Sequence, residues 1–133
     1  MARRPSTAAV RIRAEVLRLV ALIPPGHFTT YGALAVHMNV APLFVASVLA
    51  RLSDEESAAL PWHRVVAAGP RISPSMDPQL RREQQGRLEA EGLRFDAKGL
   101  ICEADACFHM VGVRREVRWS QAPPERGAGD GRS

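Results

Sequence analysis

The fold is decided by residues 30–52, which read TYGALAVHMNVAPLFVASVLARL. Thr30 is a favourable N-cap for a short helix over residues 31–38, and Asn39 is a suitable C-terminal stop. Pro42 occupies the first turn of a second helix that ends near the end of the stretch. Two short helices joined by a tight turn are typical of a helix-turn-helix unit.

A longer helix is predicted ahead of this unit, from a cap at Ser6 or Thr7 to about residue 23. Its apolar side chains recur at helical spacing on one face: Ile12, Val16, Leu19, Val20 and Ile23. The Pro-Pro-Gly sequence at residues 24–26 ends the helix, because proline supplies no backbone donor to continue it. A short extended piece at residues 27–29 then leads into Thr30.

The chain beyond residue 52 is predicted to contain short strands around one polar helix. Residues 53–59 are interpreted as an acidic loop, residues 60–67 as a strand, and residues 71–73 as a piece that pairs back on it as a small wing. Asp77 caps a helix that starts at Pro78 and ends at Glu91, just before Gly92.

The last predicted elements are a hairpin of residues 93–95 with 100–102 and one more strand over residues 108–119. Together the elements predict a mainly α fold with small β elements, a winged helix-turn-helix domain. We expect a single domain over residues 1–120. Residues 121–133, rich in Gly, Pro and charge, are expected to be a disordered tail.

The charge balance suits a polyanionic partner. The chain carries 18 Lys and Arg against 14 Asp and Glu, a formal net charge of +4, and Lys98 is its only lysine. Arginine makes bidentate contacts with phosphate. Charge alone does not establish a nucleic-acid partner. Many basic proteins bind no nucleic acid, and arginine richness can also reflect a GC-rich genome.

Composition disfavours several classes of protein. No apolar run reaches the length of a membrane span, and no signal-peptide core follows the basic N-terminus. Cys102 and Cys107 form no Cys-x-x-Cys pair, so we expect neither a disulfide framework nor a zinc site. No metal and no cofactor are expected.

The most informative motif is Pro-Trp-His-Arg-Val-Val at residues 61–66. It follows Ile-Pro-Pro-Gly (23–26), Thr-Thr-Tyr-Gly (29–32) and Val-Ala-Ser-Val-Leu (45–49), and precedes a Gln- and Arg-rich segment (80–92) ending in Glu-Gly. In this order and spacing the motifs resemble the O6-alkylguanine-DNA alkyltransferases over residues 16–95. Trp62 stands where their Pro-Cys-His-Arg-Val signature has its cysteine, and this exchange marks the alkyltransferase-like proteins.

The exchange predicts that the chain is not an enzyme. An alkyl group must be accepted by a thiolate-type nucleophile, and the indole of Trp62 offers none. The resemblance implies instead a DNA-binding domain that binds O6-alkylguanine in duplex DNA without repairing it. The lesion would be flipped into a Trp-lined pocket, and the complex would flag the damage for nucleotide excision repair.

The resemblance assigns four residues to the alkylguanine pocket. Tyr31 matches a tyrosine that pushes on a backbone phosphate; the alternative is a surface tyrosine that caps a helix end. Trp62 would pack its indole face against the base, and the alternative is a core tryptophan on a strand. Val65 matches a residue whose backbone faces the base, and Ser75 could donate a hydrogen bond to the O6 atom.

Other residues are assigned to DNA contact or to ordering the motif. The expected DNA contacts are Thr30, Ala46, Ser47 and Arg51. Ala46 and Ser47 are a small pair in the recognition helix, which packs against the minor groove; small residues also permit tight helix packing, so both alternatives stay open. His63 and Arg64 are expected to order the site through hydrogen bonds.

The chain departs from the family pattern in two places. It has no Arg or Lys between Gly32 and Ala50, whereas the family inserts an arginine into the duplex to fill the hole left by the extruded base. Leu43 or Phe44, near that place, would serve as an apolar wedge, or would pack inward if flipping is lost. The loop over residues 73–77 also lacks the arginine that relatives can carry near the O6 substituent.

The expected partners are double-stranded DNA containing O6-alkylguanine and nucleotide excision repair proteins. We expect a monomer that binds no membrane, in the bacterial cytoplasm and nucleoid-associated when bound. The alternative function is a winged-helix binder of undamaged DNA, regulatory or degenerate, that has lost base flipping. A residual alkyltransferase using Cys102 or Cys107 is disfavoured because both lie well outside the motif.

Overall fold

The computed structural model describes residues 7–111. Its helices and strands are α1 (Thr7–Ala21), β1 (Thr29–Thr30), α2 (Tyr31–Met38), α3 (Pro42–Ala50), α4 (Asp54–Ala59), a 3-10 helix (Trp62–Arg64), β2 (Val65–Val66), α5 (Pro78–Ala90) and α6 (Ala104–Cys107). The predicted disordered tail at residues 121–133 lies outside the described residues. Residues 112–119 of the last predicted strand lie outside them as well.

The first core cluster joins the three N-terminal helices. Its buried members are Val16, Leu19, Val20, Ile23, Leu34, Ala35, Val45, Val48 and Val65. Four of the five residues predicted for the apolar face of α1 are buried here, and Ile12 packs against the cluster from its edge. The predicted first helix is therefore confirmed, and it ends at Ala21, two residues earlier than predicted.

Local capping signals fix the helix-turn-helix unit. The Thr30 Oγ1 atom accepts a hydrogen bond from the Ala33 N–H at 3.0 Å. Asn39 ends α2 in the left-handed region, with φ at 58°, and Pro42 opens α3 at its first turn. The axes of α2 and α3 are bent 116° from each other. The predicted helix-turn-helix unit is confirmed.

A two-stranded parallel sheet joins this unit to the Pro-Trp-His-Arg-Val-Val motif. Thr29 pairs with Val65 and Thr30 with Val66, so the start of α2 lies beside the end of the motif. A second core cluster contains Phe28, Val66, Leu88, Leu93 and Ile101. This cluster holds α5 against the motif through Leu88, which is fully buried.

The predicted strand over residues 60–67 is wrong in its first half. The Arg64 N–H donates to the Pro61 carbonyl at 3.0 Å, and the Val65 N–H donates to the Trp62 carbonyl. These bonds fold residues 62–64 into a 3-10 helix, so the strand is confined to Val65–Val66. Trp62 consequently does not sit on a strand.

The predicted acidic loop at residues 53–59 is also wrong, because the segment forms helix α4. Ser53 and Glu56 make a capping box, in which each side chain accepts the other's backbone N–H. Three acidic residues in the first turn favour the helix N-terminus further. Arg13 of α1 then fixes α4 through two hydrogen bonds to Glu56, at 2.7 and 3.1 Å.

The predicted wing and hairpin form only as single bridges in the described chain. Ala67 pairs with Arg71, and Phe95 pairs with Ile101, each in antiparallel fashion. Residue Phe108, the start of the last predicted strand, makes a parallel bridge to Phe28 instead, directly after α6. The helix from Pro78 is confirmed, with Asp77 as its N-cap.

Within residues 7–111 no single helix is long and apolar enough to cross a membrane. Helices α2 and α3 pass that test of length and composition only as a bent pair. Both helices contribute buried residues to the first core cluster, including Leu34 and Val45.

Candidate functional site

A cavity of about 650 Å³ lies between the helix-turn-helix unit, α4, the 3-10 helix and α5. Its wall includes Tyr31 from the start of α2, Ala46 from α3, Trp62 from the 3-10 helix and Ser75 from the loop before α5. The volume falls within the range of small-molecule sites, about 300–1,000 Å³. Residues predicted from separate motifs are thus brought to one concave surface.

Trp62 is half-buried and forms part of the cavity wall. It is not a buried member of either core cluster. The guanidinium carbon of Arg87 lies 5.4 Å from the centroid of the indole ring, a cation–π distance. The Arg87 side chain is held there by Glu83, whose Oε2 atom is 2.6 Å from Nη2. The indole therefore borders the cavity with a paired cation over its ring.

His63 and Arg64, on the other side of the 3-10 helix, both bond to Glu91 at the C-terminal end of α5. The distance from His63 Nε2 to Glu91 Oε2 is 2.7 Å, and Arg64 donates from Nη2 to the same oxygen at 2.6 Å. Glu91 Oε1 accepts the backbone N–H of Gly26 at 2.9 Å, and Arg64 Nη1 donates to the Ile23 carbonyl at 2.8 Å. One carboxylate thus joins the turn after α1, the motif and the C-terminal end of α5.

The ionisation of this cluster follows from its geometry. Burial pushes the pKa of Glu91 up, but hydrogen bonds from Arg64, His63 and Gly26 outweigh it and hold the pKa at about 2. Burial lowers the pKa of His63 below its usual value, and Glu91 opposes this only in part. The His63 Nδ1 atom is buried without a hydrogen-bond partner, which fits a neutral imidazole that donates from Nε2.

Gln84 anchors the motif from α5. Its side-chain amide is buried and donates to the carbonyls of His63, at 3.0 Å, and Val65, at 2.8 Å. These carbonyls belong to a segment with only two residues of sheet, so a side-chain donor satisfies what the sheet leaves unpaired. The position of Trp62 therefore depends on α5 as well as on its own segment.

Tyr31 lies at the junction of the first core cluster and the cavity. Burial raises the pKa of its hydroxyl above the ordinary value of 10.0. The phenol is therefore protonated and uncharged at neutral pH, and it can donate a hydrogen bond to a phosphate oxygen without charge repulsion.

Other predicted residues lie away from the cavity wall. Val65 is fully buried in the first core cluster, and its carbonyl accepts a hydrogen bond from Gln84. Its predicted role, with the backbone facing the base, stays a prediction. The Thr30 hydroxyl is used as the α2 cap. Ser47 is half-buried on α3, and Arg51 is exposed just beyond that helix.

Leu43 and Phe44 occupy the first turn of α3. Leu43 is 79% exposed and Phe44 is 36% exposed, so neither belongs to the buried core. The alternative that both pack inward is excluded for Leu43. The wedge role of Leu43 or Phe44 stays a prediction.

Comparison with known proteins decides the family. Residues 11–93 match the family model described as 6-O-methylguanine DNA methyltransferase, DNA binding domain. The chain belongs to this family. The match extends from within α1 to just beyond α5 and includes every predicted site residue.

Individual relatives show which members of the family the chain is similar to. The chain is 42% identical over 89 residues to a DNA base-flipping protein of Escherichia coli, a match that covers 65% of this chain and 66% of that protein. It is similar to S. pombe Atl1, whose crystal structure contains damaged DNA with O6-carboxymethylguanine, with a TM-score of 0.59 and 27% identity over 69% of this chain and 87% of Atl1. The predicted resemblance to alkyltransferase-like proteins is confirmed, and these likenesses agree with a protein that is not an enzyme.

A second S. pombe structure supports the fold. The S. pombe alkyltransferase-like protein in complex with DNA matches with a TM-score of 0.63 at 24% identity, over 75% of this chain and 95% of that one. This likeness confirms the helix-turn-helix architecture of the family.

The sequence reasoning missed four residues of the site: Glu83, Gln84, Arg87 and Glu91. The spacing of Glu83 and Arg87, four residues apart, signals an ion pair on one helix face. Nothing local indicates that this face borders Trp62, because that depends on how α5 packs. Family motifs pointed to the helix as a whole and not to these side chains.

The described residues show no arrangement suited to a metal. Within residues 7–111 no group of three or more His, Cys, Asp or Glu side chains is placed to hold one. Cys102 and Cys107 are free thiols, and neither lines the cavity.

Proposed function

We propose that this protein binds O6-alkylguanine in duplex DNA without repairing it, by rotating the lesion nucleotide into the cavity beside Trp62. The observation that carries this proposal is the convergence of Tyr31, Ala46, Trp62 and Ser75 on one cavity next to the recognition helix α3. A flipped base is commonly read by stacking on an aromatic face and by hydrogen bonds to its edge. Trp62 supplies the face and Ser75 a hydroxyl.

The chemistry of the cavity supports binding over alkyl transfer. By its resemblance to the Pro-Cys-His-Arg-Val signature, the Pro-Trp-His-Arg-Val motif has Trp62 in place of the acceptor cysteine. With no thiol to activate, His63 has no proton to remove, and its Nε2 atom is already committed to Glu91. The motif that would order a nucleophile orders an aromatic wall instead.

Nucleotide rotation requires work on the DNA backbone, which costs a few kcal/mol. In this proposal the protonated hydroxyl of Tyr31, at the start of α2, donates a hydrogen bond to a phosphate of the DNA backbone. The small side chain of Ala46 lets α3 approach the groove closely. Leu43, exposed at the first turn of α3, then takes the place of the missing arginine as an apolar wedge.

The wedge assignment makes a testable prediction. Leu43→Ala is expected to weaken binding to a duplex with one O6-methylguanine by about fivefold, or about 1 kcal/mol, because the opened base step loses its apolar filler. Phe44→Ala, which truncates the less exposed neighbour, is expected to have a smaller effect. Fluorescence anisotropy measures both affinities. Equal affinity of Leu43→Ala and the wild-type protein would contradict the wedge.

The proposed function is tested by comparing two duplexes that differ in one base. Binding to the O6-methylguanine duplex is expected to be at least tenfold tighter than to the unmodified duplex, about 1.4 kcal/mol, at fixed salt concentration. A mass spectrum of the protein recovered from the complex is expected to show no added methyl group. Equal affinities would refute lesion binding, and methylated protein would refute the non-enzymatic mechanism.

A second function is favoured by one observation. The stretch from Gly32 to Ala50, which contains nearly all of α2 and α3, holds no Arg or Lys, so no cation of these helices is available to enter the duplex. A helix-turn-helix protein that reads undamaged DNA needs no such residue. Equal affinity for the two duplexes, with sequence preference among undamaged sites, would support this function.

The wider context of the protein follows from the same proposal. A long-lived complex that leaves the lesion unrepaired serves the cell if it marks the site, so we propose nucleotide excision repair proteins as downstream partners. We further propose that the protein acts as a monomer, and that it is a bacterial cytoplasmic protein found at the nucleoid when bound.

A further inference from the structure

The cation that lies over the Trp62 indole is already paired with a carboxylate. Arg87 lies over the indole, 5.4 Å from its centroid, and Glu83 holds it at 2.6 Å from one turn earlier in α5. The two side chains remain 42% and 43% exposed, respectively, so both can reach a ligand in the cavity. A guanidinium paired with a carboxylate has most of its charge compensated locally.

The wall carries more negative than positive charge. Among residues 7–111, the charged side chains that line the cavity are Asp54, Asp77, Glu83 and Arg87. The Asp77 carboxylate caps α5, and the Asp54 carboxylate lies in the first turn of α4. Three carboxylates against one guanidinium disfavour an anion in the cavity, although the protein as a whole is basic.

We propose that this cavity selects neutral O6-alkyl groups over anionic ones, and that Glu83 sets the preference by compensating Arg87 beside Trp62. The inference rests on the proposed function and adds the class of lesion that the site accepts. An O6-methyl or O6-ethyl group packs against the indole without desolvating a charge. An O6-carboxymethyl group brings a carboxylate toward Glu83, and Arg87 cannot offset it while bound to Glu83.

Glu83 is suited to a test because its ion pair is partly exposed. Exposed pairs contribute little to stability, so Glu83→Gln is expected to fold as the wild-type protein does. Glu89→Gln is a matched control: it removes the same charge from the same helix at an exposed residue that does not line the cavity. Arg87→Gln removes the cation itself.

The experiment measures dissociation constants for three duplexes, carrying O6-methylguanine, O6-carboxymethylguanine or unmodified guanine at one position. The wild-type protein is expected to bind the methyl lesion at least threefold more tightly than the carboxymethyl lesion. Glu83→Gln is expected to remove about threefold of this preference, the size of effect given by a partly exposed charge pair. Glu89→Gln is expected to leave the ratio unchanged, and Arg87→Gln to increase it.

The outcomes separate this inference from the function on which it rests. If the wild-type protein does not distinguish either lesion from unmodified guanine, lesion binding fails and the selectivity fails with it. If lesions are preferred but Glu83→Gln leaves the methyl-to-carboxymethyl ratio unchanged, the function stands and the role of Glu83 is overturned. An equal change with Glu89→Gln also overturns it, because the effect would then be one of net charge.

Discussion

Replacing Glu91 with glutamine is expected to lower the free energy of unfolding by about 3 kcal/mol. Glu91 accepts hydrogen bonds from His63, Arg64 and the Gly26 backbone, and its side chain is only 17% exposed. The substitution leaves the Arg64 guanidinium, 14% exposed, without its counter-charge. An uncompensated buried charge is among the few changes that destabilise a small domain this strongly.

Urea unfolding followed by circular dichroism measures the effect at pH 7. Glu89→Gln removes an exposed carboxylate two residues earlier and is expected to change stability by less than about 0.5 kcal/mol. A loss of stability no larger than that of the control would contradict the central role assigned to Glu91.

The pH dependence gives the same prediction an independent check. The pKa of Glu91 is about 2 in the folded protein, compared with 4.5 for a glutamate that makes no such interactions. A lowered folded pKa means that the stabilisation is complete above pH 4.5 and is lost as the pH falls toward 2. In Glu91→Gln, the free energy of unfolding is therefore expected to fall less steeply between pH 4.5 and pH 2. Hydrogen bonds from Arg13 and Ser53 also hold the pKa of Glu56 at about 2. Glu56 therefore retains part of this pH dependence in the variant.

Replacing Trp62 with alanine is expected to reduce the preference for an O6-methylguanine duplex over an unmodified one by about tenfold. Stacking of a base on an aromatic side chain is worth ~1–3 kcal/mol, and alanine offers no face. Trp62→Phe keeps an aromatic face and is expected to retain most of the preference. Because the unmodified duplex is not flipped, its affinity is expected to change little.

A stability measurement distinguishes the pocket role of Trp62 from a packing role. Truncating a core tryptophan typically costs 3–5 kcal/mol. Trp62 is half-buried at a cavity wall, so Trp62→Ala is expected to cost clearly less. A loss of 3 kcal/mol or more, together with an unchanged preference for the lesion, would show that the indole is core packing.

The parts of the fold that the sequence predicted are those with local chemical signals. Thr30, Asn39 and Pro42 each act on the nearest turn of helix, so the helix-turn-helix unit could be located without tertiary information. The capping box of Ser53 and Glu56 was an equally local signal, and it was overlooked in favour of the segment's acidity. That error was one of interpretation.

Other errors arose from interactions between distant segments. The alternating pattern of residues 60–67 is typical of a strand, but the segment is held by Gln84 and Glu91 of α5 in a shape that no local pattern encodes. Motif resemblance assigned Tyr31, Trp62 and Ser75 to one pocket, and all three line the cavity. It could not place Arg87, because the contact of Arg87 with the indole depends on how α5 packs.

The register of the two-residue parallel sheet sets the position of Tyr31 relative to Trp62. Its register, Thr29 with Val65 and Thr30 with Val66, is the direct link between the segment that ends at Tyr31 and the segment that begins with Trp62. A slip of one residue in a parallel pair moves one strand along the other by about 3.3 Å, close to the ~3.4 Å spacing of successive bases on one DNA strand. Loop lengths elsewhere in the chain can therefore vary. One residue gained or lost in either strand would shift Tyr31 relative to Trp62 by about the distance between two stacked bases.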